Sequence, residues 1–165
     1  MVKAGVRGGA DLILIETMSD TYESSSGSGG KGKFRSSNLC NHNFRWKRQT
    51  LTGGTPKSVV ALLEGLGVDA LGINCGLGPV QMKPIVEELL RYASIPVVVN
   101  PNAGLPRSEG GKTVYDIDPP EFVEEMKGML EMGVRQSGAA VVRPGDIRLL
   151  AEMCKAERES RSSRK

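Results

Sequence analysis

Residues 68–75 read VDALGINC, a short and mostly apolar run that ends in an amide and a thiol. The runs GADLILIE (9–16) and IPVVVN (95–100) have the same layout, and each also ends in a polar residue. Apolar runs of this length without strict alternation are typical of strands buried on both faces of a parallel sheet. The sequence therefore predicts three parallel strands with polar residues at their ends.

Helical patterns separate and follow these strands. Helices are predicted to begin at Thr55-Pro56, at Pro79, at Asp118-Pro119 and near Pro144, each followed by apolar residues at helical spacing. Thr and Asp are good N-cap residues, and Pro is favoured in the first helical turn. Gly133 follows the apolar residues of the third predicted helix and is expected to end that helix. Alternating strands and helices predict an α/β fold with a parallel sheet and right-handed crossovers.

Composition narrows the class of protein. The chain has 165 residues and a net charge of +3, and it contains three cysteines. It has no apolar run of about 20 residues, so no membrane partner is expected, and its start lacks a secretory layout. An odd and sparse cysteine count argues against a disulfide scaffold and predicts a reducing, cytoplasmic location. Residues 31–48 hold six basic residues and no acidic one, so the excess of positive charge belongs to that segment and gives no reason to expect a nucleic acid partner.

Polar residues at the ends of the predicted strands are the candidate site. They are Glu16, then Asn74 and Cys75, then Asn100 with Asn102. In parallel sheets and barrels, functional residues gather at the carboxyl ends of the strands. The alternative is that these residues only end the strands and hydrogen-bond loop backbone, as Asn and Asp commonly do.

The segments that carry these residues resemble a known family. LILIETMSD (12–20), EGLGVDALGINCGLGP (64–79), and IPVVVNPNAGLP (95–106) with GKTVYD (111–116) are similar to the homocysteine S-methyltransferases, including the homocysteine-binding barrel of cobalamin-dependent methionine synthase. The resemblance implies a (β/α)8 barrel of the TIM type, which typically needs about 250 residues. Residues 1–154 are therefore expected to form roughly the second half of such a barrel domain. A charged tail over 155–165 follows, and we expect it to be disordered.

The resemblance also implies an activity and its partners. The family transfers a methyl group to homocysteine, giving methionine, with zinc holding the substrate sulfur as a thiolate. The methyl donor would be methylcobalamin, regenerated from methyltetrahydrofolate, if cobalamin and folate domains accompany the barrel in a full-length protein.

The resemblance assigns roles to individual residues. Cys75 matches the first of three zinc ligands, Glu16 matches a residue that binds the homocysteine amino group, and Asn100 and Asn102 match the substrate loop near the metal. The other two ligands belong to a GGCCGT motif, where this chain has Gly138, Ala139, Ala140 and Val141 instead. One cysteine is too few for a zinc site, which uses three or four protein ligands. We therefore expect the chain as written to be inactive and to fold poorly alone.

Two segments, 24–49 and 136–144, break the pattern. SSSGSGG (24–30) is typical of a flexible linker, and we expect residues 24–49 to be disordered. A compensated frameshift accounts for both segments. In a shifted frame, each new codon joins the last two bases of one residue's codon to the first base of the next codon. With suitable synonymous codons, residues 31–49 then become KENSDLPIYATITFDGKGR, which contains the predicted strand LPIYATITF. The opposite shift over 136–144 can give VGGCCGTTP. On this hypothesis the strand region 31–49 and the last strand, 136–143, are scrambled.

The sequence also allows two alternative functions. A pterin-binding barrel methyltransferase is one, because a VNPNAG loop could face a pterin. A non-enzymatic RNA-binding module that uses the basic segment 31–48 is another. The triplet Cys40-Asn41-His42 offers two metal-ligand types, but two ligands without further partners are weak evidence for a site.

Overall fold

The computed structural model describes residues 2–20, 37–45 and 47–162. The elements in chain order are α1 Val2–Arg7, β1 Leu12–Met18, β2 Ser37–His42, α2 Pro56–Gly65, β3 Ala70–Asn74, α3 Pro79–Tyr92, β4 Val97–Asn100, β5 Pro106–Glu109, β6 Lys112–Tyr115, α4 Pro119–Met132, β7 Gln136–Ser137 and α5 Pro144–Ser162.

The main sheet is parallel and follows the order of the chain. Its strands lie in the order β1-β2-β3-β4-β7, while β5 and β6 form a separate antiparallel hairpin. Every adjacent pair in the main sheet is parallel. The predicted α/β class is confirmed. Apart from the inserted β5–β6 hairpin, the strands lie side by side in chain order, which is consistent with an arc of a (β/α) barrel. A doubly wound sheet would reverse its strand order.

Local sequence signals determine where the helices begin and end. The Ser58 backbone N–H donates to Thr55 Oγ1 over 3.2 Å, and the Thr55 N–H donates to Ser58 Oγ over 2.9 Å. Asp118 Oδ1 accepts from the Glu121 N–H in the same way at the start of α4. Gly133 ends α4 with a φ of +117°, a conformation that favours glycine. The predicted helix boundaries at these residues are confirmed.

The core lies between one face of the sheet and the helices. Buried residues of the helices, such as Leu63, Ile85 and Met126, belong to the same apolar cluster as Leu71 and Val97 of the sheet. A small second cluster of Leu39, Ala70 and Val98 lies on the opposite face, because side chains alternate along a strand. Helix packing therefore covers one face of the sheet among the described residues.

Strand β1 differs from its prediction as a strand buried on both faces. Leu12 and Leu14 are each 45% exposed, and Glu16 is exposed as well. The reason is its position, since β1 lies at the edge of the described sheet and has a neighbour only in β2.

Two expectations of disorder are wrong where the structure describes the chain. Ser37–His42 form strand β2, because their backbone pairs with both β1 and β3 and fills the space between them. Residues 24–36 and Trp46 lie outside the described residues. The charged tail is helical up to Ser162, because it is rich in Glu, Lys and Arg, which are good helix formers.

Within the described ranges, no helix is long and apolar enough to cross a membrane.

Candidate functional site

A hydrogen-bonded group of side chains lies at the carboxyl ends of β1 and β3. The Asn74 amide is almost fully buried and donates to Thr17 Oγ1 over 2.7 Å and to Glu16 Oε2 over 3.4 Å. Its Oδ1 accepts from the Thr17 backbone N–H over 3.0 Å. Asn74 therefore joins the ends of the two strands and orients the exposed Glu16 carboxylate at the carboxyl end of the sheet.

Two residues with strained backbone conformations lie at the same carboxyl end of the sheet. Thr17 has a φ of +62° and Cys75 a φ of +58°, although neither residue is a glycine. Non-glycine residues held in this left-handed region cost about 1–3 kcal/mol each and are concentrated at functional sites. In β1 the irregularity falls between Ile15 and Met18, which is the stretch that contains Glu16 and Thr17.

Cys75 lies where β3 meets β4. Its backbone N–H donates to the Asn100 carbonyl over 3.0 Å, and its side chain is partly buried and not in a disulfide. Gly76 follows with a φ of +74°, and a Cβ at that position would lie 2.7 Å from Asn43 Oδ1. The turn after Cys75 is therefore closely packed against the residue that follows β2.

Asn100 and Asn102 lie at and just beyond the end of β4. Asn102 is 6% exposed, and its Oδ1 accepts from the Val141 N–H over 3.2 Å. Its own N–H donates to the Leu77 carbonyl over 3.0 Å. Asn102 thus connects the loop after β3 with the segment after β7. This is a structural role, and the sequence had left such a role open as the alternative to ligand binding. Asn100 is partly buried, and its Oδ1 would be 2.5 Å from a Cβ at Gly138.

The segment after β7 lies on the other side of β4 from Cys75. Gly138 donates to the Val99 carbonyl over 3.0 Å, and Ala140 donates to the Pro101 carbonyl over 2.9 Å. This is the segment in which the family resemblance predicts a pair of cysteines. Its side chains at Ala139, Ala140 and Val141 carry no metal-ligating atom.

The donor set does not fit the zinc ion that the resemblance implies. A zinc site needs three or four protein ligands, and here Cys75 is the only thiol at the carboxyl edge among the described residues. Within residues 2–20, 37–45 and 47–162, no group of three or more His, Cys, Asp or Glu side chains is placed to hold a metal ion.

Cys40 and His42 of β2 point into the core cluster side of the sheet and are fully buried. Burial lowers the pKa of His42 from 6.5 to about 4, and the nearby Asp20 carboxylate opposes this shift. Their burial gives no support to a metal site at this triplet.

Sequence reasoning missed Thr17, which contributes a hydroxyl and a backbone N–H to the Asn74 group. Its position directly after Glu16 was visible, but its positive φ has no sequence signal in a threonine.

A family model described as homocysteine S-methyltransferase matches residues 1–154. The chain belongs to this family. Methionine synthase from Mycobacterium leprae (strain TN) is 31% identical over 152 residues, which are 87% of this chain and 13% of that protein. Methionine synthase from Mycobacterium tuberculosis (strain ATCC 25618 / H37Rv) is 32% identical over 152 residues and is matched over a similar share.

Solved structures of a homocysteine methyltransferase have the same arrangement. The chain is similar to MmuM from Escherichia coli in its apo form, with a TM-score of 0.73 and 25% identity over 92% of this chain. The metallated form of MmuM gives a TM-score of 0.74 with 26% identity. The chain spans 13% of the length of the methionine synthases and 52% of the apo MmuM chain. The family match confirms the resemblance to the homocysteine S-methyltransferases that the sequence predicts.

Proposed function

We propose that this chain is a fragment of a homocysteine S-methyltransferase that binds the amino-acid end of homocysteine but does not transfer a methyl group as written. The observation that carries the binding role is the hydrogen bonding of Asn74, which orients the exposed Glu16 carboxylate at the carboxyl end of the sheet. The family match supports homocysteine as the ligand.

Glu16 supplies the charge for recognition. Homocysteine carries an ammonium group at neutral pH, and a charge-assisted hydrogen bond from an ammonium to a carboxylate is stronger than a neutral one. The Asn74 amide donates to Glu16 Oε2 and so limits the rotation of the carboxylate. A carboxylate oriented in advance loses less side-chain entropy when the ligand binds.

Asn100 and Asn102 form the opposite wall in this proposal. Asn102 is held by bonds to Val141 and Leu77, and it therefore fixes the loop that follows β4. Asn100 lies in register with Asn74 on the neighbouring strand, so the two amides lie side by side at the sheet edge. Amide side chains in this position can hydrogen-bond the carboxylate of an amino acid.

The lack of turnover follows from the missing thiolates. A free thiol has a pKa of about 8.5, so the thiol of homocysteine is mostly protonated at neutral pH and is a poor nucleophile without activation. The family activates it with zinc, and the residues at 139–141 cannot hold that ion. Binding and methyl transfer are therefore separable in this chain.

Binding is tested by isothermal titration calorimetry of the purified chain with L-homocysteine. We expect weak binding in the millimolar range that Glu16→Gln reduces at least fivefold, since the variant removes the charge and keeps the shape. Glu87→Gln, which changes an exposed carboxylate on α3, is the matched control and should leave the affinity unchanged. Equal affinities of the two variants, or no binding by the parent chain, would rule out the proposed role of Glu16.

The metal deficit has its own test. Zinc content after dialysis should stay well below one ion per chain in the parent and rise toward one ion per chain in the double variant Ala139→Cys/Ala140→Cys. Adding Cys75→Ala to the double variant should reverse the gain. Stoichiometric zinc in the parent chain, or methionine formed by it, would contradict the proposal of an inactive fragment.

A further inference from the structure

Strand β2 is a central strand with polar side chains in a fully buried position. It lies between β1 and β3, and Asn41 and His42 are both 0% exposed. Central strands of parallel sheets are covered on both faces and are usually continuous apolar runs. The sequence SNLCNH is therefore unusual for the place that it occupies.

Asn41 has buried amide atoms without hydrogen-bond partners. Neither Nδ2 nor Oδ1 of Asn41 has a partner within the described residues, although the side chain is inaccessible to solvent. Its Oδ1 lies 2.9 Å from the position that a Cβ would take at Gly72, so the amide oxygen lies next to a residue with no side chain. Buried polar groups are nearly always hydrogen-bonded, and an unpaired one destabilises the folded state.

His42 is the second fully buried polar side chain of β2, and it lies on the other face of the sheet. It pairs with Ile73 of β3, which belongs to the apolar core cluster, and its ring centroid is 6.5 Å from that of Phe44. Burial lowers its pKa to about 4, and the Asp20 carboxylate acts in the opposite direction.

The shifted frame resolves both mismatches at the same positions. Read with Thr50 as the fixed downstream residue, the string LPIYATITF covers positions 36–44. It replaces Asn41 by threonine and His42 by isoleucine, two β-branched residues that favour strands. It also retains phenylalanine at position 44, where Phe44 is fully buried in the core.

We infer that β2 combines the backbone position of a native strand with side chains translated from a shifted reading frame, and that Asn41 and His42 are the two residues most at odds with that position. The supporting observations are independent of each other. The codon shift uses only the genetic code and the sequence, whereas the burial of Asn41 and its unpaired amide come from the structure. The inference concerns stability and does not rest on the proposed homocysteine site.

The coding DNA gives the most direct test. The shifted string requires the codons TGC, AAC, CAT, AAC and TTT for residues 40–44, although each of these amino acids has a second synonymous codon. We expect these codons, with a one-base insertion or deletion on either side of the segment. The inference is overturned if one-base insertions or deletions do not bracket the segment when the coding DNA is aligned with genes of the homocysteine S-methyltransferases.

The protein gives a second test. The double variant Asn41→Thr/His42→Ile should raise the Tm of the full chain by about 5 °C or more, because it removes a buried unpaired amide and a buried imidazole. The pair Ser108→Thr and Glu109→Ile adds similar strand-forming residues to the exposed strand β5 and should shift the Tm by much less. An unchanged or lower Tm in the β2 variant would show that the polar side chains suit their positions, and would contradict the inference. Homocysteine affinity measured on the same variant separates this result from that of the binding proposal.

Discussion

Acid should destabilise this chain through a single imidazole. His42 is the only histidine in the sequence, and it is fully buried. Burial lowers its pKa to about 4 from an ordinary 6.5, and the Asp20 carboxylate only partly offsets this effect. Because the pKa is lower in the folded state, the unfolded chain takes up the proton first as the pH falls. The contribution of the neutral imidazole to stability is therefore complete above pH 6.5 and is lost as the pH falls toward 4.

The size of the effect follows from the difference between the two pKa values. Between pH 7.5 and pH 4.5, linkage gives a loss of about 2–3 kcal/mol in the free energy of unfolding, a large part of the total for a domain of this size. Urea denaturation at both pH values measures the loss. His42→Leu serves as the control, because carboxylates also titrate near pH 4 and only the difference between the two proteins belongs to the imidazole.

Proton NMR gives an independent measurement, since a chain with one histidine has one set of imidazole resonances. These resonances should not titrate between pH 7.5 and 5.5 in the folded protein. A folded-state pKa near 6.5, or an equal loss of stability in the leucine variant, would refute the reasoning.

Three further substitutions test the packing around the site and the core by urea denaturation. Asn74→Ala should lower the free energy of unfolding by about 1–3 kcal/mol, since it leaves the Thr17 N–H unpaired; a neutral result would mean that water replaces the amide. Gly104→Ala should cost more than about 1 kcal/mol, because the residue has a φ of +98° and its new Cβ would lie 2.0 Å from Asp116 Oδ1; Gly65→Ala, where a Cβ meets nothing within 4 Å, is its control. Met126→Ala should cost about 2–5 kcal/mol by leaving a cavity in the core, and a loss below about 1 kcal/mol would show that the core closes around it.

The helices were predictable because their signals are local. Thr55 and Asp118 accept hydrogen bonds from the first turns of their helices, and Gly133 takes the backbone conformation that ends one. Each of these interactions lies within a few residues of the chain. The strands β3 and β4 were predictable for a related reason, since their apolar runs are buried as a parallel sheet requires.

The rest depends on residues that are distant in sequence. Thr17 and Asn74 are 57 positions apart, and the positive φ of Thr17 accompanies their hydrogen bonds. Strand β2 has no apolar run of its own, and its assignment comes from pairing with two neighbours. The positions of Glu16 and Cys75 near the carboxyl ends of β1 and β3 could be predicted, but the hydrogen bonds of Asn74 to Glu16 and Thr17 required the structure.

In this chain, backbone hydrogen bonds hold some segments in place although the side chains there do not supply the matching chemistry. Cys75 and Ala140 lie on opposite sides of the end of β4, and both hold their places through backbone hydrogen bonds to it. Such bonds do not depend on which side chain is attached, so the segment keeps its place beside the strand although no thiol is present. The same argument applies to Asn41, whose backbone lies between two strands while its amide has no hydrogen-bond partner in the described part of the chain. Fold similarity to a metallated methyltransferase therefore carries information about the scaffold, whereas the capacity to bind metal has to be read from the individual side chains at 139–141.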